Sequence, residues 1–296
     1  MIQYVVSKTT FINAFGGFMS YKIVVDSGCD LPVEYRKDSR FEFVPLIMQV
    51  DDHVIVDDDT FNQKEYLELV AASEDCPKTA CPSPDLYMNA YKTDADDVYV
   101  VTLTSKLSGS YNSALLGKNL YHEEVGEKNI HIFDSMSASC GEGNIALKII
   151  ELAEAGLPFD EVVEKIEAYR DEMLTYFVLD SLETLRKNGR LTGMKALVAS
   201  TLNIKPVCHG VKGEILQKSQ GIGMKKALVK MTELIAAEVK NPETKTLMIS
   251  NVNCFERAAV VKDMILKKVP FKDAHIVDTA GLSSTYAADG GIIVTC

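Results

Sequence analysis

Short apolar, β-branched runs punctuate the first half of the chain at Tyr21–Val25, Phe43–Val50, Val98–Leu103 and Ile130–Phe133. Between and after them apolar residues recur at helical spacing, over Asn62–Ala72, Pro84–Lys92, Tyr111–Glu124 and Gly141–Ala155. This alternation predicts βαβ units around a parallel sheet flanked by helices. In such sheets ligands lie beyond the carboxyl ends of the strands. Two of those ends carry the same polar dipeptide, Asp26-Ser27 and Asp134-Ser135. Ser27 therefore joins the candidate site residues.

From about residue 160 the pattern changes. A charge-interleaved helix, Asp160–Glu172, leads into a strand at Thr175–Leu179, a helix at Leu182–Lys187 and the turn Asn188-Gly189-Arg190. Ile204–Val207 and Glu214–Lys218, around Gly210 and Gly213, have the pattern of a hairpin. Helices at Met224–Val239 and Arg257–Lys268 alternate with strands at Thr246–Asn251, His275–Val277 and Ile292–Val294. The fold class expected is α/β with two domains, the second a smaller one with a mixed sheet, and a ligand between them. We place the domains at residues 20–160 and 161–296. Residues 1–19, which end on a second methionine, are expected to be a poorly ordered extension or an over-long start, since they lack signal-peptide features.

The most informative loop follows the third strand. Thr104, Ser105, Ser108 and Ser110 put four hydroxyls in seven residues, with Gly109 among them, at the start of a helix. Free backbone N–H groups at a helix N-terminus, joined by hydroxyls, suit a phosphate or a carboxylate. A phosphate-binding P-loop needs a lysine after its last glycine, and here Lys106 precedes it. A second hydroxyl-bearing loop is Lys78-Thr79-Ala80-Cys81-Pro82-Ser83-Pro84. Ser83 and Pro84 suit the cap and first position of the next helix, which leaves Thr79 free.

Charge and side-chain chemistry narrow the classes. A formal net charge of −11 over 296 residues argues against a nucleic-acid partner. No run has the length and apolarity of a membrane span. The seven cysteines are odd in number and lack paired CxxC spacing, so reduced thiols in the cytoplasm are expected. Asp51-Asp52-His53 and Asp57-Asp58-Asp59 lack the alternation and glycine of a calcium loop and are expected to be solvated acidic turns. No metal site, cofactor or catalytic residue is expected. The competing reading is a phosphotransfer enzyme or hydrolase using Asp26 and the Ser105–Ser110 loop. Against it, Asp26 lacks a second acid at the next-but-one position, and bracing a loop is its expected role.

Several segments together resemble one family. Tyr21–Ser27 with Asp30-Leu31-Pro32, Thr79 with Pro82-Ser83-Pro84, Leu107-Ser108-Gly109-Ser110-Tyr111, Asp134-Ser135, Leu185–Leu191 and Ile204-Lys205-Pro206 occur in order. The chain is similar over residues 20–296 to the DegV family of fatty-acid-binding proteins. The resemblance implies non-enzymatic binding of one long-chain fatty acid between two α/β domains. Thr79 and Ser108 would meet the carboxylate, Gly109 would offer backbone, and the acyl chain would run into the second domain. Arg190 is a candidate for the mouth. The apolar stretches Tyr176–Leu179, Leu182–Leu185 and Ala196–Ile204 are candidates for the tunnel lining or for ordinary core.

Some members of the family pass the acid to a separate kinase. Two departures bear on that expectation. Many members carry a histidine near the carboxylate in a C-terminal segment, where Ser284–Gly291 here places Tyr286. Kinase-linked members also tend to carry an arginine shortly before a Lys-Lys-Ala run. Here Ser219–Met224, ahead of Lys225-Lys226-Ala227, has none, which counts against delivery to a fatty-acid kinase.

Overall fold

The computed structural model describes residues 20–191 and 203–296. The first elements are β1 (Tyr21–Asp26), α1 (Val33–Arg36), β2 (Phe41–Val44), β3 (Ile47–Val50), β4 (His53–Val56), α2 (Gln63–Ala72), β5 (Lys78–Ala80) and α3 (Pro84–Ala90). Then come β6 (Asp97–Thr102), α4 (Ser110–Glu124), β7 (Asn129–Asp134), α5 (Cys140–Glu154) and α6 (Phe159–Glu172). The remainder holds β8 (Thr175–Val178), α7 (Glu183–Lys187), β9 (Ile204–Val211), β10 (Glu214–Ile222) and α8 (Gly223–Glu238). It continues with β11 (Thr246–Asn251), α9 (Phe255–Leu266), β12 (Asp273–Asp278), α10 (Gly281–Ala287) and β13 (Ile292–Thr295).

A four-stranded sheet in the order β2-β1-β6-β7 is parallel throughout. Successive side chains of a strand point to opposite faces, and both faces of this sheet are covered. Ile23, Val25, Tyr99 and Val101 join one core, whereas Val24, Val98 and Val100 join the other. A six-stranded sheet in the order β10-β9-β8-β13-β11-β12 is mixed, with β11 and β12 parallel and the other pairs antiparallel. The expected two-part α/β architecture is therefore present.

Helix α5 joins the two parts. Ile145, Ala146 and Ile149 pack into the core of the parallel sheet. From the same helix, Cys140 packs with Met248 and Val277, and the Asn144 amide donates to Thr295 Oγ1 at 2.8 Å. Helix α6, expected to open the second domain, packs instead on the first sheet. Val162 and Ile166 are fully buried with Ile23, Val101 and Phe133, so the amphipathic stripe of α6 is used one layer earlier than its position suggested.

The expected single strand Phe43–Val50 is two strands in different sheets. Pro45 has no N–H to give a ladder, and the strand breaks there. β2 stays in the parallel sheet, while β3 becomes the centre of a separate antiparallel sheet, β4-β3-β5. Residues 1–19 and the 196–202 part of the expected Ala196–Ile204 lining lie outside the described residues.

Candidate functional site

The loop after β6 is built as a donor surface. α4 starts at Ser110, and Ser108 Oγ accepts from Ser110 N at 3.1 Å. With its oxygen so occupied, the Ser108 O–H finds no acceptor among the described residues. The N–H groups of Gly109, Tyr111 and Asn112 likewise donate to none there. Helix geometry explains those amides, because the first turn of any helix leaves its donors unpaired. Gly109 is exposed, and a Cβ on it would stand 3.0 Å from Cys81 Sγ, which places the strand carrying Thr79 beside this helix start.

Thr79 lies on β5, at the edge of the small antiparallel sheet, rather than in a loop. Its hydroxyl is 2.8 Å from the Tyr286 phenol on α10. The Arg190 guanidinium carbon sits 6.0 Å from the centroid of the Tyr286 ring, in cation–π range, and Arg190 Nε donates to Leu107 O at 3.2 Å. Arg190 thus ties the Tyr286 cluster to the residue just before Ser108. The structure brings Thr79, Tyr286 and Arg190 together, with Ser108 and Gly109 on the adjoining loop.

Ser27 is placed elsewhere. It is buried, and its Oγ accepts from Leu46 N at 3.0 Å, which braces β1 to the start of β3. Asp26 braces likewise. It is fully buried and accepts from Gly28 N, Leu103 N and the Ser110 hydroxyl. Ser110 has one proton and gives it to Asp26, so the Tyr87 phenol donates to Ser110 Oγ at 2.6 Å. A carboxylate so occupied and so enclosed is not open to attack a substrate, which removes the nucleophile of the phosphotransfer reading.

Behind the donor surface lies a cavity of about 100 Å³ between the two sheets. Leu103, Leu107, Met136 and Ala138 line it from the first part of the chain, and Phe177, Leu179, Leu185 and Ile215 from the second. Leu282, Tyr286, Ala287 and Ile293 complete the wall. The strand Thr175–Val178 splits by period two. Phe177 faces the cavity side, while Tyr176 and Val178 face the opposite core. Several hydroxyls of the wall are hydrogen-bonded within the protein. Ser137 and Thr175 pair with each other at 2.7 Å, the Thr104 hydroxyl accepts from Lys106 N, and the Ser139 hydroxyl donates to Asp30 at 2.6 Å.

The wall is held by buried acids that the sequence reading missed. Asp30 accepts from Ala280 N and Ser139 Oγ. Asp57 was expected in a solvated turn but is buried, and it accepts from Gly281 N at 2.7 Å and Leu282 N at 2.9 Å. It thereby caps α10 from a distant part of the chain, and burial pushes its carboxyl up to about 6. Burial likewise pushes up the Asp26 and Asp30 carboxyls, against the pull of their hydrogen-bond donors. Met136 and Ser139 take positive φ angles of 50° and 60° in the wall segment, a local strain that the Asp134–Met136 N and Ser139–Asp30 bonds hold in place. A run of three acids carries no local sign of which member will be buried, so Asp57 was not legible as a cap.

Among the described residues no cluster of three His, Cys, Asp or Glu side chains could hold a metal ion. No helix there is long and apolar enough to cross a membrane. A family model described as an uncharacterised protein of the DegV family matches residues 20–295. A DegV domain-containing protein of Streptococcus gordonii is 38% identical over 282 residues, covering 93% of this chain and 98% of its own. A solved DegV-family structure from Ruminococcus gnavus, refined with vaccenic acid, superimposes with a TM-score of 0.92 at 53% identity, over 94% of this chain and 99% of its own. The Streptococcus pneumoniae Fatty Acid Kinase (Fak) B3 protein, loaded with linoleic acid, gives a TM-score of 0.84 at 34% identity over the same shares. With a family model spanning nearly the whole described fold and relatives of this identity over nearly their full length, the chain belongs to the DegV family.

Proposed function

We propose that this protein binds one long-chain fatty acid without chemistry of its own. The acid's carboxylate would sit at Thr79, Tyr286, Ser108 and Gly109, with Arg190 at the mouth, and its acyl chain in the cavity between the sheets. The observation that carries this is an apolar cavity with a rim of donors. Two hydroxyls at 2.8 Å share one hydrogen bond, so the Thr79–Tyr286 pair keeps one O–H to give away. With the Ser108 O–H, the open amides at the start of α4 and a guanidinium, the rim suits an anion. Each buried CH₂ contributes roughly 0.8 kcal/mol, so about 16 carbons supply on the order of 10 kcal/mol before ordering costs. The relatives refined with vaccenic and linoleic acids support the same ligand class.

A second reading concerns what happens to the bound acid. The likeness to the Fak B3 protein supports presentation of the carboxylate to a fatty-acid kinase, despite the missing arginine ahead of Lys225. Seven cysteines without a disulfide fit the reducing cytoplasm as its location. Solvent extraction of the purified protein followed by mass spectrometry tests the main reading. Long-chain acids in near one-to-one ratio are expected. A protein that carries none and takes up none when offered oleic acid would overturn it.

A further inference from the structure

Beneath the site loops four acidic side chains are buried: Asp26, Asp30, Asp57 and Glu142. The three aspartates each have dedicated donors. Glu142, in the first turn of α5, differs. It is fully buried, and neither carboxyl oxygen receives a hydrogen bond from any donor among the described residues. An ionised carboxylate left without donors in the interior is strongly disfavoured. The side chains that act on it are all potential anions: Asp26 on β1, Cys29 and Asp30 in the loop that follows, and Tyr87 on α3. The Ser139 backbone N–H, at the start of α5, also faces it but lies outside hydrogen-bond geometry. Arg36 on α1 acts on Cys29 and Asp30. The described acids do not converge closely enough to hold a metal ion in place of a proton. A Cβ on Gly28 would stand 3.0 Å from Asp26 Oδ1 and 3.3 Å from Glu142 Oε1, so both carboxyl groups lie against the same glycine.

We propose that Glu142 is a positioning residue, kept as a neutral carboxylic acid that shares its proton with the Asp26 carboxylate and so sets the start of α4 and the cavity wall at Leu103. The neutral form supplies the O–H that no other group gives, and Asp26 keeps its charge for Leu103 N, Gly28 N and the Ser110 hydroxyl. Burial pushes the Glu142 carboxyl well above the usual range, and the Asp26 charge pushes it further. Removing the proton sets two like charges side by side and loosens Asp26 from Ser110, whose N–H holds the Ser108 hydroxyl. The functional half of this inference rests on the fatty-acid reading.

Two measurements decide it. Full-length protein labelled with ¹³C at glutamate carboxyls is titrated by NMR. One carboxyl resonance should stay at the protonated position from about pH 5 to about pH 8, where free glutamate is ionised. That resonance should be missing in Glu142→Gln. Glutamates that all titrate in the ordinary range would overturn the proposal, and this needs only the wild type. The second measurement is oleic acid affinity of wild type and Glu142→Gln at neutral and alkaline pH. The wild type should weaken on the alkaline side by about fivefold or more relative to the variant, as typical for coupled sites. Parallel profiles would overturn the positioning role. Failure of oleic acid to bind at any pH would fell the fatty-acid reading and the positioning role together, while the carboxyl resonance still decides the proton.

Discussion

The Thr79 hydroxyl and the Tyr286 phenol are 2.8 Å apart, although 207 positions separate them in the chain. One sits on an edge strand of the small antiparallel sheet and the other on a seven-residue helix near the C-terminus. Their bond joins the two α/β parts at the rim of the cavity, and Arg190 covers the phenol ring from a third segment. The rim is therefore assembled by folding, with no contiguous motif holding it.

Tyr286→Phe keeps the ring beneath Arg190 and removes the hydroxyl. Fatty-acid affinity should fall by about 1.5–3 kcal/mol, as for loss of one hydrogen bond to a charged ligand. Ser108→Ala combined with Thr79→Ala should cost about 2–4 kcal/mol, because more charge-assisted bonds are lost. Displacement of a fluorescent fatty acid reads both. Unchanged affinity in a folded variant would remove that group from the carboxylate site.

Ser108 and Ser110 should separate cleanly. Ser110→Ala strips a donor from buried Asp26 and should destabilise the fold by about 1–3 kcal/mol. Ser108→Ala loses a part-buried turn bond and should shift stability by less than about 1 kcal/mol while weakening the ligand. Urea midpoints of the two variants check this, and equal losses would contradict the division of labour.

Asp57 gives a pH signature. Its carboxyl is raised from 3.8 to about 6, so the folded protein holds a proton that the unfolded chain has already released. Stability therefore falls as pH rises through that window and levels off above it. The fall attributable to this group is roughly 3 kcal/mol if the whole shift counts. Asp57→Asn cannot titrate, so its stability profile should lack the step. Chemical denaturation on either side of the window compares the two, and parallel profiles would rule Asp57 out as the source.

Gly117 on α4 lets α3 pack closely. A Cβ there would fall 2.7 Å from Pro84 O, 2.8 Å from Tyr87 Cβ and 3.0 Å from Met88 N. Backbone atoms cannot yield as a side-chain tip can. Gly117→Ala should therefore destabilise by about 1–3 kcal/mol despite the better helix propensity of alanine. A thermal midpoint at or above that of the wild type would contradict this packing.

Much of the architecture was legible in the chain. β1, β6 and β7, helices α2, α3 and α4, the β9–β10 hairpin and the Ser83-Pro84 helix start all follow from periodicity and capping. These features depend on neighbours within a few residues. Three features were not legible. The break at Pro45 sends β3 to another sheet, although Phe43–Val50 has one continuous apolar pattern. Helix α6 has an ordinary amphipathic stripe that does not say which sheet it will cover. α10 opens Gly-Leu-Ser-Ser-Thr, a sequence of poor helix propensity, and it is helical where Asp57 receives its first N–H groups.

The site divides in the same way. Ser108 and Gly109 were identifiable because a helix start displays its own donors whatever surrounds it, and the family motifs pointed to Thr79. Sequence by itself determined the donor loop, the strand–helix alternation and the family. Only the tertiary structure decided that Thr79, Tyr286 and Arg190 meet, that Ser27 and Asp26 brace buried loops, and that Asp57 and Glu142 are interior. The physical reason is range. Propensity, periodicity and capping act within a turn or two of the chain. Burial of a charge, and the partner that relieves it, depend on which distant segments close around it.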